Sequence, residues 1–206
     1  MTHAATAVSR YGRIVEAIAE RGICVEPAFL ASRDIAALAA DARRRDAAGE
    51  LRASAIGRGT SRIESPGVRG DRIAWLDADD PTSALRRARV ALAALRRELN
   101  AALYLGLEEL EMHYALYPPG AAYARHRDRF RNDDARVVSC VIYLNDAWQA
   151  SDGGALRVSL NDGETLDVLP VGGTFVAFLS ATFHHEVLPA HRERLSLTGW
   201  FRRCAT

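Results

Sequence analysis

The stretch RVVSCVIYLN, residues 136–145, divides cleanly between two faces. Ser139, Val141 and Tyr143 fall on one side, and Val138, Cys140, Ile142 and Leu144 fall on the other. Successive side chains of a strand point to opposite faces, so the run predicts a strand with one apolar and one mixed face. The apolar set is expected to pack against helices. The mixed set is expected to line a pocket, where the Tyr143 hydroxyl can donate to a ligand carboxylate.

Similar runs surround it: LEMHYALY (110–117), ALRVSL (155–160), TLDVLP (165–170), GTFVAFL (173–179) and ERLSLTGWF (193–201). Turn-forming clusters separate them, among them PPG, NDD, SDGG, NDG and VGG. Many short strands with no helices between them predict an antiparallel sandwich or jelly-roll barrel. Upstream the pattern is helical. Val8, Tyr11, Ile14 or Val15, and Ile18 recur at helical spacing, and Gly22 ends that segment. Ile23–Val25 reads as a short strand. Ser32 is expected to cap a second helix carrying Ile35 and Leu38. A third helix from Pro81 and Thr82 aligns Leu85, Leu92, Leu95, Leu99 and Leu103, with Arg86, Arg87, Arg96 and Arg97 on its solvated side. Between the second and third helices, residues 55–77 read as a long polar loop in which only RIAWL has strand character. The Arg69-Gly70-Asp71 triplet in that loop matches a cell-adhesion motif and is read as coincidence.

With 206 residues the chain suits one domain: residues 1–109 as mainly helical support with some strand, and 110–206 as the β core. Hydrophobic residues make up 49% and charged residues 26%, the balance of a soluble globular protein. The formal net charge of +1 gives no overall pull toward nucleic acid or anionic membrane. Cys24, Cys140 and Cys204 are odd in number and far apart, which argues against a zinc site or a disulfide framework and for a reducing cytoplasm. The N-terminus lacks the apolar stretch of a signal peptide, and no run approaches the roughly 20 apolar residues of a membrane span.

YARHRDRF, residues 123–130, places His126 and Asp128 two positions apart. A kinase catalytic loop would require a strand lysine, and the chain contains no lysine. In an extended segment residues i and i+2 point the same way, so His126 and Asp128 can converge on one ion. Non-haem Fe(II) oxygenases bind iron through two histidines and one carboxylate, leaving open positions. His184, His185 and His191 are the candidates for the second histidine. Beyond them, Arg194, Ser196 and Thr198 alternate with Leu195 and Leu197. A buried arginine needs an anionic partner, and a guanidinium fork suits a carboxylate. A small dicarboxylate could chelate the iron at one end and meet Arg194 at the other.

YPPGAAYARHRD, VIYLNDAW, DGGALRV and HEVLPAHRERLSLTGWF together resemble the prolyl hydroxylase domain family of 2-oxoglutarate/Fe(II)-dependent dioxygenases, in its bacterial branch. RGICVEPAFL and RGDRIAWLD also resemble the family's N-terminal region, so the resemblance covers nearly the whole chain. It implies an α+β fold: a double-stranded β-helix, the cupin-like jelly-roll barrel, with N-terminal supporting helices. It implies His126, Asp128 and His185 as iron ligands, His185 being the histidine followed by Glu-Val-x-Pro. Arg194 would bind the distal carboxylate of 2-oxoglutarate, with Tyr143 assisting, Thr198 nearby and Tyr117 over the pocket mouth. Tyr123 and Trp200 match family aromatics beside the site, and Val141 shares the pocket face of its strand. His113 matches no family motif; a supporting role in the site and a plain core histidine stand equal. The loop near 57–71 would close over substrate.

The implied activity is hydroxylation of a prolyl residue in a protein, coupled to conversion of 2-oxoglutarate and O2 to succinate and CO2, with ascorbate a candidate reductant. A translation factor such as elongation factor Tu is the implied kind of target. The competing readings are the same chemistry on a free amino acid, a small molecule or an alkylated nucleic acid, and a non-catalytic binding or sensing barrel. Near-neutral charge speaks against nucleic acid, and the intact ligand set speaks against a non-catalytic barrel.

Overall fold

The computed structural model describes residues 9–54, 67–128, 135–160 and 163–204. Chain order begins α1 (Arg10–Arg21), β1 (Ile23–Glu26), α2 (Ser32–Ala47), β2 (Arg52–Ala53), β3 (Arg72–Trp75) and α3 (Ser83–Leu103). Eight strands follow: β4 (Glu109–Tyr117), β5 (Tyr123–His126), β6 (Arg136–Tyr143), β7 (Leu156–Ser159), β8 (Thr165–Val168), β9 (Phe175–Leu179), β10 (His185–Val187) and β11 (Arg194–Arg202). They form two antiparallel sheets. The larger runs β1-β9-β6-β11-β4-β3-β2 and the smaller runs β5-β10-β7-β8.

The two-faced reading of residues 136–145 decides the layering. Val138, Cys140, Ile142 and Leu144 join Leu195 and Leu197 against helix residues such as Leu38, Leu85, Leu92 and Leu95. Tyr143 and Val141 face the other way, toward Leu156, Val158, Val168 and Val187 of the smaller sheet. The helices thus back one face of the large sheet, and the small sheet covers the other. Burial of these apolar side chains contributes about 25 cal/mol per Å² removed from water.

Local chemistry fixes the helix ends. Ser9 caps α1 by accepting from the Gly12 N–H at 3.1 Å, and Gly22 ends it in the left-handed conformation, φ 72°. Ser32 was expected as the cap of α2 but is its first helical residue; Ala31 holds the cap position without a side-chain bond. In the first turn Asp34 instead places negative charge near the helix N-terminus and pairs with Arg87 of α3 at 2.6 Å. Arg87, assigned to the solvated side of α3, therefore also ties two helices together.

β2, β5 and β10 contain 2, 4 and 3 residues, too few to show a period of their own. Of the loop expected near 57–71, residues 57–66 lie outside the described residues. The Arg69-Gly70-Asp71 triplet closes on itself. Arg69 donates to both Asp71 oxygens, at 2.7 and 3.0 Å, and Ser54 donates to the same buried carboxylate at 2.5 Å.

Candidate active site

The antiparallel pairing of β5 with β10 sets His126 directly opposite His185. Their ring centroids are 4.2 Å apart. Asp128, two residues past His126, lies with Oδ1 3.5 Å from His126 Nε2 and Oδ2 3.7 Å from His185 Nε2. One ligand atom from each residue lies within 4.8 Å of the others. His126 Nδ1 faces the Ala124 carbonyl at 2.8 Å, and His185 Nδ1 faces that of Phe183 at 3.4 Å. Those contacts put the proton on Nδ1 and leave the Nε2 lone pairs converging, the tautomer a metal ligand requires.

Burial pushes the His185 imidazole below its ordinary pKa, against the opposing pull of the Asp128 carboxylate. Burial alone would raise the Asp128 carboxyl. His185, His126 and the Ser139 hydroxyl outweigh that effect and hold it well below the usual carboxylate range. Two imidazole nitrogens and one carboxylate are a donor set that fits Fe(II) and leaves positions open. Of the two other candidates, His184 directs its backbone carbonyl to the Ser159 N–H and His191 is exposed; neither joins the cluster.

Arg194 begins β11 opposite Tyr117 and is 3% exposed. Its Nε donates to the Gly154 carbonyl at 2.9 Å. Its guanidinium carbon lies 5.3 Å from the Tyr117 ring centre and 5.0 Å from that of Tyr143. No carboxylate among the described residues pairs with it. The Tyr143 hydroxyl is buried beside Arg194 with no well-formed hydrogen bond among the described residues, and burial raises its pKa against the charge and weak hydrogen bonding of Arg194. A buried cation beside a buried hydroxyl forms a slot for an anion. Thr198 lies further along β11, opposite His113 on β4 and Val141 on β6, with its hydroxyl 3.2 Å from that of Ser196.

Tyr123 stacks on His126 with ring centres 3.6 Å apart, and the Arg69 guanidinium lies 4.7 Å from the Tyr123 ring centre. Trp200 stands between His113, 5.2 Å away, and the Arg136 guanidinium, 3.6 Å away. His113 is buried and stays neutral, its pKa pushed down to about 3 by burial first and by Arg69 second. Its Nδ1 and Trp200 Nε1 have no hydrogen-bond partner among the described residues.

Sequence reasoning missed three supports. Ser139 was read as pocket lining, yet its hydroxyl donates to Asp128 Oδ2 at 2.6 Å and meets Ser180 at 2.9 Å. Gly154 supplies the carbonyl that orients Arg194; at φ 70°, a Cβ there would come within 2.8 Å of the Ala190 Cβ. Asn145 accepts the Leu195 N–H at 2.7 Å and donates to the Pro170 carbonyl at 2.8 Å, anchoring the start of β11. The only sequence signal for the last two was their place in the DGGALRV and VIYLNDAW segments.

Residues 112–202 match the model of the 2OG-Fe(II) oxygenase superfamily. The crystal structure of a Pseudomonas putida prolyl-4-hydroxylase is 49% identical and superposes with a TM-score of 0.85, over 95% of this chain and 100% of that one. A Trichoplax adhaerens prolyl hydroxylase, in complex with a peptide fragment of the hypoxia inducible factor oxygen degradation domain, is 26% identical with a TM-score of 0.85. That match covers 93% of this chain and 88% of the other. Human Egl nine homolog 1 is 29% identical over 91% of this chain, which spans 45% of that protein's length. These neighbours share the double-stranded β-helix barrel, and the two facing sheets described above are its layers.

Proposed function

The chain belongs to the 2OG-Fe(II) oxygenase superfamily, and on that premise we propose that it is a 2-oxoglutarate-dependent prolyl 4-hydroxylase acting on a proline within a protein. His126, Asp128 and His185 would hold Fe(II), and Arg194 with Tyr143 would hold the far carboxylate of 2-oxoglutarate. Bound there, the metal supplies the oxidative chemistry that couples cosubstrate decarboxylation to C–H hydroxylation. The protein's part is placement. The Nδ1 contacts orient both imidazoles, and Tyr123 packs flat on His126. Gly154 and Asn145 fix where Arg194 enters the pocket. Tyr117, Tyr143 and the smaller sheet exclude water from the slot.

The observation that carries this reading is the buried guanidinium of Arg194, with no carboxylate partner among the described residues, on the same inward sheet face as Ser139, which holds Asp128. A protein-borne proline is supported by the likeness to prolyl hydroxylases, one of them in complex with a peptide. We place the protein in the cytoplasm: its three cysteines are unpaired, and no helix among the described residues is long and apolar enough to cross a membrane.

The test is mass spectrometry of host-cell proteins with and without this enzyme, reading elongation factor Tu first. One added oxygen on a proline, lost with Asp128→Ala, is the expected result. Oxygen appearing only on free amino acids or nucleic-acid bases would overturn the proposal.

A further inference from the structure

We infer that Ser139 and Ser180 form a hydroxyl relay that fixes the Asp128 carboxylate for binding metal through one oxygen, which makes Ser139 a positioning residue of the metal centre. The inference rests on the metal-site reading and is independent of the prolyl substrate.

The three proposed ligands are not held alike. His126 and His185 sit opposite each other on paired strands, so the β5–β10 ladder fixes both backbones. Asp128 lies beyond the end of β5 and takes no part in a strand pairing among the described residues. Its side chain needs a tether from elsewhere, and Ser139 supplies one at 2.6 Å. Ser139 occupies the middle of β6, paired with Phe178 of β9 on one side and Trp200 of β11 on the other. The tether therefore joins the metal edge of the small sheet to the interior of the large one. Both serines are buried, at 2% and 0% exposure.

Proton counting gives the relay one direction. An ionised carboxylate only accepts, so the single Ser139 proton goes to Asp128 Oδ2. The 2.9 Å contact between the two serines must then be Ser180 donating to Ser139. Ser180 follows β9 directly and its N–H donates to the Val137 carbonyl at 3.0 Å, which fixes its place beside Ser139. The bond takes up one acceptor site of Oδ2 and fixes the turn of the carboxylate, so Oδ1, 3.5 Å from His126 Nε2, would be the freer oxygen for a metal. A carboxylate biased in this way toward one-oxygen binding would leave a coordination position for a chelating cosubstrate.

The experiment titrates the 206-residue chain with Mn(II) by calorimetry and records the visible absorption of the Co(II) form. Ser139→Ala should weaken Mn(II) binding about 10- to 100-fold, the usual range for losing such a support. It should also change the Co(II) band intensity as Asp128 becomes free to bind through both oxygens. Ser139→Thr restores the hydroxyl and should return both readings toward wild type. Ser180→Ala leaves Ser139 and its packing in place and should give an intermediate loss, so the test survives misfolding of a Ser139 variant. Mn(II) affinity in Ser139→Ala or Ser180→Ala indistinguishable from wild type overturns the relay. So does Ser139→Thr binding as weakly as Ser139→Ala, since packing alone would then be responsible. Failure of the wild-type chain to bind Mn(II) would overturn the metal centre itself and the relay with it.

Discussion

Replacing Arg194 with methionine should move two properties in opposite directions. The guanidinium is 3% exposed, donates to the Gly154 carbonyl at 2.9 Å and meets no carboxylate among the described residues. Among the described residues this is a buried charge without a counter-ion, so an apolar side chain of similar length should relieve desolvation. Against that gain, the Gly154 carbonyl loses its donor, at about 1 kcal/mol. The empty variant should therefore melt at or above the wild-type temperature. With 2-oxoglutarate the balance reverses. Removing one partner of a buried, hydrogen-bonded charge pair costs roughly 2–5 kcal/mol. At about 1.4 kcal/mol per factor of ten, a cost near 3 kcal/mol weakens binding about 100-fold. Isothermal titration of 2-oxoglutarate into the Mn(II)-loaded protein, beside thermal melts of the metal-free protein, reads both quantities. Unchanged 2-oxoglutarate affinity would refute the role of Arg194. A loss of apo stability as large as that of a core leucine deletion would show that the protein already satisfies the guanidinium.

Asp128→Ala should abolish metal binding and 2-oxoglutarate turnover while the circular dichroism of the fold persists; turnover at the wild-type rate would remove Asp128 from the ligand set. Tyr143→Phe deletes a buried hydroxyl that makes no well-formed hydrogen bond among the described residues, so the empty protein should be little less stable, while 2-oxoglutarate affinity falls by about 1 kcal/mol, or 5- to 10-fold. Equal affinity for the two proteins in the same titration would count against the hydroxyl. His113 ties stability to pH. Its folded pKa is pushed down to about 3 from an ordinary value of 6.5, so the unfolded chain takes up this proton first. The stability linked to neutral His113 is present in full above pH 6.5 and is lost as pH falls toward 3. His113→Met should lower the pH midpoint of acid unfolding, and coincident midpoints in the two acid titrations would sink the linkage.

The layering of this fold was legible because strand period and burial coincide. The alternation at 136–145 and again at 194–201 separates helix-facing from pocket-facing residues without coordinates, and the structure keeps that division. Arg194, Tyr143, Thr198 and Val141 fell on the inward face by period alone. Short elements were not legible. β5 and β10 are too brief to announce themselves, yet their pairing sets His126 against His185 across 59 residues of chain, from 126 to 185. Choosing His185 over His184 and His191 rested on a motif resemblance, because periodicity cannot register two distant strands.

The sequence by itself determined which residue types face inward and which ligands are available, since those follow from local period and side-chain chemistry. Only the tertiary structure decided what those groups meet. That Ser139 supports Asp128, that the Gly154 carbonyl aims Arg194, and that Arg69 and Asp71 satisfy each other are contacts between side chains and backbone whose partners are set by sheet pairing and loop closure. Hydrogen bonds and ion pairs act over a few ångströms, and which groups come that close is a property of the packed chain rather than of any segment of it.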